Sequence, residues 1–322
     1  MMDWTDRHCR YFLRLVSPHA RLYTEMVTTG SLMFGNVPRQ LDFDPSEHPI
    51  ALQLGGSDPR ALAHCARLGE AWGYAEINLN VGCPSERVQT GSFGACLMAD
   101  PVLVADCVAA INDAVALPVT VKHRIGIDAI EEYEFVQRFI ATVAQAGATA
   151  FLVHARNAIL KGLSPKQNRE LPPLKYDYVH RLKHDFPQLT IVINGGIETH
   201  AAITRELEQV DGVMIGRAAY HHPWLLSEVD RYCFGEDGGV TPSRSRADIV
   251  AALVPYADAQ LAQGVSLRAI ARHVLGLYHG QPGARAWRRM LSDEAQLRGS
   301  GPELFLRALH EVEPEELVPA SA

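Results

Sequence analysis

Cys83 is the side chain of this 322-residue chain best placed to do chemistry. It lies in the stretch Glu76-Ile77-Asn78-Leu79-Asn80-Val81-Gly82-Cys83-Pro84. Up to Val81 the pattern is that of a buried strand, with apolar Ile77, Leu79 and Val81 alternating with polar residues. Gly82 lets backbone come close to a ligand, and Pro84 cannot continue a strand ladder. Cys83 is therefore expected on a loop at the C-terminal tip of a strand, above Asn78 and Asn80. The competing reading is that of most lone cysteines, a small buried hydrophobe.

Further residues of chemical interest close other strand-like segments. Asn194-Gly195-Gly196 and Gly216-Arg217 end the last two of these segments. In β/α barrels the loops at those positions often bind phosphate through backbone N–H groups, and Arg217 adds charge. The alternative is two ordinary tight turns. Lys122 and His154 end two neighbouring segments. A fixed cation at such a tip would stabilise the negative charge that a reduced flavin carries at its pyrimidine edge. Gln53 can donate and accept at once, which suits that edge. His154 suits a phosphate or a substrate base, or is a satisfied structural histidine.

The elements that must position these residues follow from periodicity. Strand-like segments run over 21–27, 49–55, 76–81, 117–122, 149–154, 189–194 and 210–215. Most are separated by a helix-length segment. Asp58-Pro59 and Asp100-Pro101 read as helix starts, with a side-chain cap and proline at the first position. Leu62, Ala66 and Gly69 mark one inward helix face. This alternation predicts a parallel sheet. No G-x-G-x-x-G follows an early strand, and polar residues gather at strand C-termini all the way round: Gln53, Asn80, Cys83, Lys122, His154, Asn194 and Arg217. Both features favour a TIM-type (β/α)8 barrel over a doubly wound sheet. An eighth strand is expected ahead of Met1.

Composition sets the bounds. A barrel takes about 250 residues, so the chain has room for one barrel and a small appendage. The six cysteines form no C-x-x-C pair, and there is no signal peptide or long apolar run, which points to a reducing cytoplasm and no membrane span. No group has zinc spacing, so no metal is expected. The net charge of −7 argues against a generally basic nucleic-acid binder and leaves only a local patch.

Such a patch lies beyond a Gly/Ser-rich linker between Cys233 and Arg246, where the periodicity turns helical. The reading is a catalytic domain over 1–238 and a small all-helical domain over 245–322. Ser245 with Asp248 resembles a capping box, and Ser266 caps a helix through Leu277. Arg268, Arg272, Arg285, Arg288, Arg289 and Arg298 stand against Asp293 and Glu294. Arg268 and Arg272, like Arg285 and Arg289, are spaced i,i+4, which mildly destabilises a helix without an anionic partner. A solvated face is the bland alternative. Trp287 among them is a core anchor or a stacking platform for a base. The acidic tail at Glu311, Glu313, Glu315 and Glu316 reads as a solvated end.

Taken together, these stretches resemble the tRNA-dihydrouridine synthases, and within them the A-type subfamily. The resemblance runs nearly end to end, from Met2-Asp3-Trp4-Thr5-Asp6-Arg7-His8-Cys9 to Pro282-Gly283-Ala284-Arg285-Ala286-Trp287-Arg288-Arg289. Its most specific parts are Tyr23–Gly30, Leu79–Ser85, His154-Ala155-Arg156, Gly162–Glu170 and Ile193–Ile197. The resemblance implies an FMN-bound barrel followed by a helical tRNA-recognition domain. It implies NADPH-dependent reduction of uridine to dihydrouridine in the tRNA D-loop, around positions 20 and 20a, with no obligate protein partner. Carried over by position, Met1, Gln53, Lys122, His154, Asn194, Gly195, Gly196, Gly216 and Arg217 match flavin contacts. Cys83 matches the proton donor, and Asn80, Lys166, Arg169, Arg285 and Arg288 match positions that touch tRNA. The family has a strand ending Ala-Pro-Met where this chain starts at Met1, so an open sheet edge is expected. Two other functions fit the barrel: another FMN ene-reductase such as a dihydroorotate dehydrogenase-like enzyme, which would not need the arginine-rich helices, and a non-catalytic tRNA-binding relative, which would lack flavin.

Overall fold

The structure, a computed structural model, describes residues 1–234 and 244–314. Seven strands form: β1 (Leu22–Thr28), β2 (Ile50–Gly55), β3 (Glu76–Val81), β4 (Val119–Arg124), β5 (Ala150–His154), β6 (Thr190–Asn194) and β7 (Gly212–Met214). They pair in parallel and in chain order, with β1 and β7 at the two edges. A doubly wound sheet would reverse direction at a switch point; a barrel sheet advances one way, as here. The helices Pro59–Ala71, Pro101–Asn112, Tyr133–Gln145, Tyr176–Asp185 and His200–Leu207 fill the successive connections from β2 to β7. The fold is the expected β/α-barrel sheet, with helices following it.

Local sequence explains these elements. Asp58 accepts the backbone N–H of Ala61 at 2.9 Å and Asp100 that of Leu103 at 3.1 Å, each ahead of a proline at the first helical turn. Gly69 lets its helix lie against the sheet: a Cβ there would stand 2.7 Å from Leu52 and 2.9 Å from Ile77. Ile77, Leu79 and Val81 are fully buried, while Glu76, Asn78 and Asn80, on the opposite face of the same strand, hydrogen-bond across the sheet interior. β4 continues to Arg124, two residues beyond the expected end at Lys122. The added turn of the pleat puts Thr120, Lys122 and Arg124 on one face.

The chain divides into two compact units: Met1–Met2 with Arg21–Gly216, and Asp3–Ala20 with the chain from Arg217 onward. The linker residues 235–243 and the tail from Glu315, including Glu316, lie outside the described residues, as do the expected domain limits at 238 and 322. Residues 3–20 group with the C-terminal helices for identifiable reasons. Asp6 caps the helix Arg7–Val16 by accepting from His8 and Cys9, each at 3.0 Å, and also pairs with Arg272 and His273. Trp4 stacks on Tyr220 with ring centroids 4.6 Å apart, and Tyr11 on Tyr256 at 3.7 Å. Ser245 and Asp248 form the capping box expected for the helix Arg246–Ala262. Trp287, Ile270, Leu304 and Phe305 are fully buried in this unit. The Trp287 indole donates to the Val274 carbonyl at 2.9 Å. It is a core anchor, and the alternative of a base-stacking platform is corrected: no face of the ring is left to stack on. Among the described residues no helix is long and apolar enough to cross a membrane.

Candidate active site

The tip of β3 is held from several directions. Asn80 Oδ1 accepts the backbone N–H of Gly82 at 3.1 Å and of Cys83 at 3.0 Å. The Cys83 carbonyl accepts from Ala95 at 2.9 Å. That approach depends on Gly94, at φ +78, where a Cβ would stand 2.5 Å from the same oxygen. Arg124 Nε donates to the Gly82 carbonyl at 3.2 Å. Cys83 itself is only partly covered, whereas Cys9, Cys65 and Cys107 are buried. Burial pushes the Cys65 and Cys107 thiols up to about 11 and about 12, which suits inert core residues.

Beside this tip the barrel interior is rich in cations. The β3–β4 register sets Lys122 alongside Asn80. Lys122 has no hydrogen-bond or ion-pair partner among the described residues. Burial lowers its pKa to about 8; Arg124 works in the same direction and Cys83 against it. Arg124, 3% exposed, is pulled to about 10 by burial. It also donates to the carbonyls of Asn157 at 3.2 Å and Asn168 at 3.0 Å, so one guanidinium ties the loop after β3 to two points of the loop after β5. His154 is held well below its usual pKa, by burial first and then by Arg124, Lys122, Arg156 and Arg169. Its imidazole is therefore neutral, and its side chain makes no hydrogen bond to the described residues.

The tips of β6 and β7 adjoin this cluster. The register sets Asn194 beside His154, and Asn194 Nδ2 donates to the Met214 carbonyl at 2.8 Å. Gly195 and Gly196 have φ of +119 and +69, values that suit glycine. A Cβ on Gly195 would come within 2.8 Å of the His154 ring, and one on Gly216 within 3.9 Å of the Met1 sulfur. Met1, Gln53, Asn80, Cys83, Lys122, His154, Asn194, Gly195, Gly196 and Gly216 thus all belong to the barrel unit, nearly all of them at or just past strand C-termini. Arg217 follows directly and opens the short helix Arg217–His221 of the other unit.

Lys166 is exposed and Arg169 half-buried. Their loop is organised by Asn168, fully buried, which accepts from the Ile159 N–H at 2.7 Å and donates to its carbonyl at 2.8 Å. In the helical unit the arginines fall into two groups. Arg268 and Arg298 both pair with Glu294 at 2.8 Å, and Arg272 pairs with Asp6. Arg285, Arg288 and Arg289 are exposed on the helix Ala284–Ser292 with no ion pair among the described residues. Arg285 and Arg288 line a shallow groove with His279 and Gln281.

Sequence reasoning passed over Arg124, Asn157 and Asn168. Arg124 carried a usable signal, since it continues the i, i+2 face of Thr120 and Lys122. The two asparagines carried none, because their roles depend on loops that meet only in the fold. Among the described residues no group of His, Cys, Asp or Glu is placed to hold a metal ion.

This arrangement is that of a β/α-barrel enzyme, with the candidate site residues gathered at the C-terminal ends of the strands. A solved structure of a 2-naphthoyl-CoA reductase complex shares the fold, with TM-score 0.50 and 11% identity over 70% of this chain and 46% of that one. A family model for dihydrouridine synthase matches residues 1–313. The chain belongs to the dihydrouridine synthase family. It is 56% identical over 308 residues to a protein of Xanthomonas campestris pv. campestris, covering 96% of this chain and 90% of the relative. It is 55% identical over 315 residues to one of Yersinia pestis, covering 98% and 90%, and 58% identical over 292 residues to one of Pseudomonas putida, covering 91% and 86%. Each of these relatives is called tRNA-dihydrouridine(20/20a) synthase.

Proposed function

We propose that this chain is a cytoplasmic enzyme that reduces uridine to 5,6-dihydrouridine around positions 20 and 20a of the tRNA D-loop, using FMN and NADPH. The observation that carries the reading is the partly open Cys83, pinned at the β3 tip beside the unpaired, half-buried Lys122, in a chain that matches the family almost throughout.

The residues present fit a flavin. Lys122 is a cation without a counter-ion in a poorly solvated place, an arrangement that favours an anionic ligand edge. Gln53 offers an amide, and Met1 and Asn194 line the same strand ends. Gly195, Gly196 and Gly216 leave backbone open to a phosphate, with Arg217 supplying charge. Neutral His154 can both donate and accept. FMN bound there, and reduced by NADPH, would supply hydride to C6 of the uracil. The chain's own part is to deliver the second hydrogen. Hydride at C6 leaves enolate character across C5 and O4, and the Cys83 thiol gives its proton to C5. The base must leave its stack to reach this site. Asn80 orients it, Lys166 and Arg169 contact the RNA near it, and Arg285 and Arg288 contact the tRNA backbone. No protein partner is required.

The test is direct. The purified protein should show flavin absorbance and should form dihydrouridine in unmodified tRNA when given NADPH. A colourless protein that binds tRNA without modifying it would favour a non-catalytic relative. A flavoprotein that oxidises NADPH but leaves tRNA unchanged would favour a small-molecule ene-reductase.

A further inference from the structure

We propose that Glu76, at the foot of β3, is a positioning residue: its carboxylate sets the direction of a hydrogen-bond relay that climbs the barrel interior and ends on the Cys83 loop. The inference rests on the function proposed above.

Glu76 is 1% exposed. One carboxylate oxygen pairs with Arg21. The other accepts from the Thr120 hydroxyl at 2.5 Å and the Tyr23 hydroxyl at 3.1 Å. Thr120 has a single hydroxyl proton and spends it on Glu76, so towards its next neighbour it can only accept. Asn78 Nδ2 accordingly donates to it at 2.8 Å. That leaves Asn78 Oδ1 to accept from Gln53 Nε2 at 2.8 Å, and Gln53 Oε1 to accept from Asn80 Nδ2 at 2.8 Å. Asn80 Oδ1 then faces the backbone N–H groups of Gly82 and Cys83.

Every donation runs towards Glu76. The two ends require the same direction, because a backbone N–H can only donate and a carboxylate can only accept. The strand register builds the relay, pairing Gln53 with Asn78 and Asn78 with Thr120. In a poorly solvated interior such a chain is mutually reinforcing, and a reversed member leaves two donors or two acceptors facing each other. The relay uses one amide hydrogen each of Gln53 and Asn80 and leaves the other. Both side chains are thereby fixed as donors towards the barrel mouth, and Cys83 is fixed through its own N–H. A glutamine at position 76 that keeps its oxygen on Arg21 turns its NH2 group to Thr120, which can then no longer give its proton to that side chain.

The experiment compares FMN-loaded wild type, Glu76→Gln, Thr120→Val, Thr120→Ser and the double variant Glu76→Gln/Thr120→Val. Thr120→Val cuts the relay while leaving the Arg21–Glu76 pair in place, so it serves even if Glu76→Gln fails to fold. Two quantities are read: the rate of dihydrouridine formation when reduced enzyme meets unmodified tRNA, and the rate at which iodoacetamide alkylates Cys83, followed by mass spectrometry of its peptide. Glu76→Gln and Thr120→Val should each slow the first roughly ten- to a hundredfold, the cost of a misplaced reacting group, and each should speed the second. The double variant should be no worse than either, and Thr120→Ser should restore both rates. Wild-type rates in Thr120→Val, a Thr120→Ser as defective as Thr120→Val, or additive losses with unchanged alkylation would overturn the inference. If wild type itself makes no dihydrouridine, the functional reading fails, and the alkylation rates still decide whether the relay holds the Cys83 loop.

Discussion

The barrel mouth and the C-terminal helices both carry unpaired cations, but on opposite physical terms. Lys122 sits half-buried near Arg124, where burial first, and then that guanidinium, lowers its pKa to about 8. Arg285, Arg288 and Arg289 stand in solvent, where an unpaired guanidinium costs almost nothing. A desolvated cation without a counter-ion is expensive to maintain, so its position implies an anion that arrives later. An exposed one implies only a long-range, salt-screened attraction. The first arrangement suits a small ligand held in one pose; the second suits a long polyanion gripped at several points.

Substitutions can break or sharpen that contrast. Arg124→Met should have the largest effect on folding. It strips the carbonyls of Gly82, Asn157 and Asn168 of a buried donor, at about 1–3 kcal/mol for each group left unsatisfied. Denaturant unfolding should register this loss; a fully stable variant would mean that water replaces the guanidinium. Lys122→Met should leave the fold intact but reduce turnover by roughly two to three orders of magnitude, the scale of one lost electrostatic stabiliser. The same variant carries a pH signature in flavin-stripped protein. The folded pKa of Lys122 lies below its unfolded value, so between about 8 and about 10.4 the unfolded chain binds more protons. Stability should therefore gain from this group as pH rises through that window. Lys122→Met should lack that gain, and identical pH profiles for the two proteins would show that Lys122 is better solvated than its burial implies.

The helical unit should respond more gently. Replacing Arg285 and Arg288 by alanine should weaken tRNA binding and flatten its salt dependence by about 0.7–0.9 per lost phosphate contact. NADPH oxidation without tRNA should be unchanged, and an unaltered salt slope would make these arginines a solvated surface. The smallest effect belongs to Arg268→Ala and Arg298→Ala. Their exposed pairs with Glu294 are worth about 0–1 kcal/mol, and tRNA affinity should not change. If it falls as far as in the Arg285 variant, the division into paired and unpaired arginines has no bearing on binding.

The sequence made the strands legible because each carries an apolar alternation closed by glycine, proline or a polar residue. Cys83, Lys122, His154 and the Gly195–Gly196 pair could be placed at strand tips for that reason. What escaped was partner choice. The i,i+4 arginine pairs looked alike, yet Arg272 is taken by Asp6 some 266 residues earlier while Arg285 has no acid to meet. Residues 3–20 fall within the expected catalytic domain 1–238, but Asp6, Trp4 and Tyr11 find their contacts among residues of the other unit. Glu76 and Thr120 looked like ordinary polar members of buried strands, because a relay across three strands leaves no mark in any one of them. Trp287 was readable only as far as its type; its burial decided its role.

Cys83→Ala, in a two-mix stopped-flow measurement, bears most directly on the central claim that Cys83 is the proton donor. The flavin-loaded variant is first mixed, oxidised, with NADPH, and then, reduced, with unmodified tRNA. Flavin reduction in the first mix should stay near normal, since no proton is delivered to uracil there. Dihydrouridine formation in the second should fall by roughly two to four orders of magnitude, the share of a positioned general acid. A comparable loss in both mixes would mean that Cys83 shapes the cofactor pocket, and full activity in both would leave it a structural cysteine at a strand end.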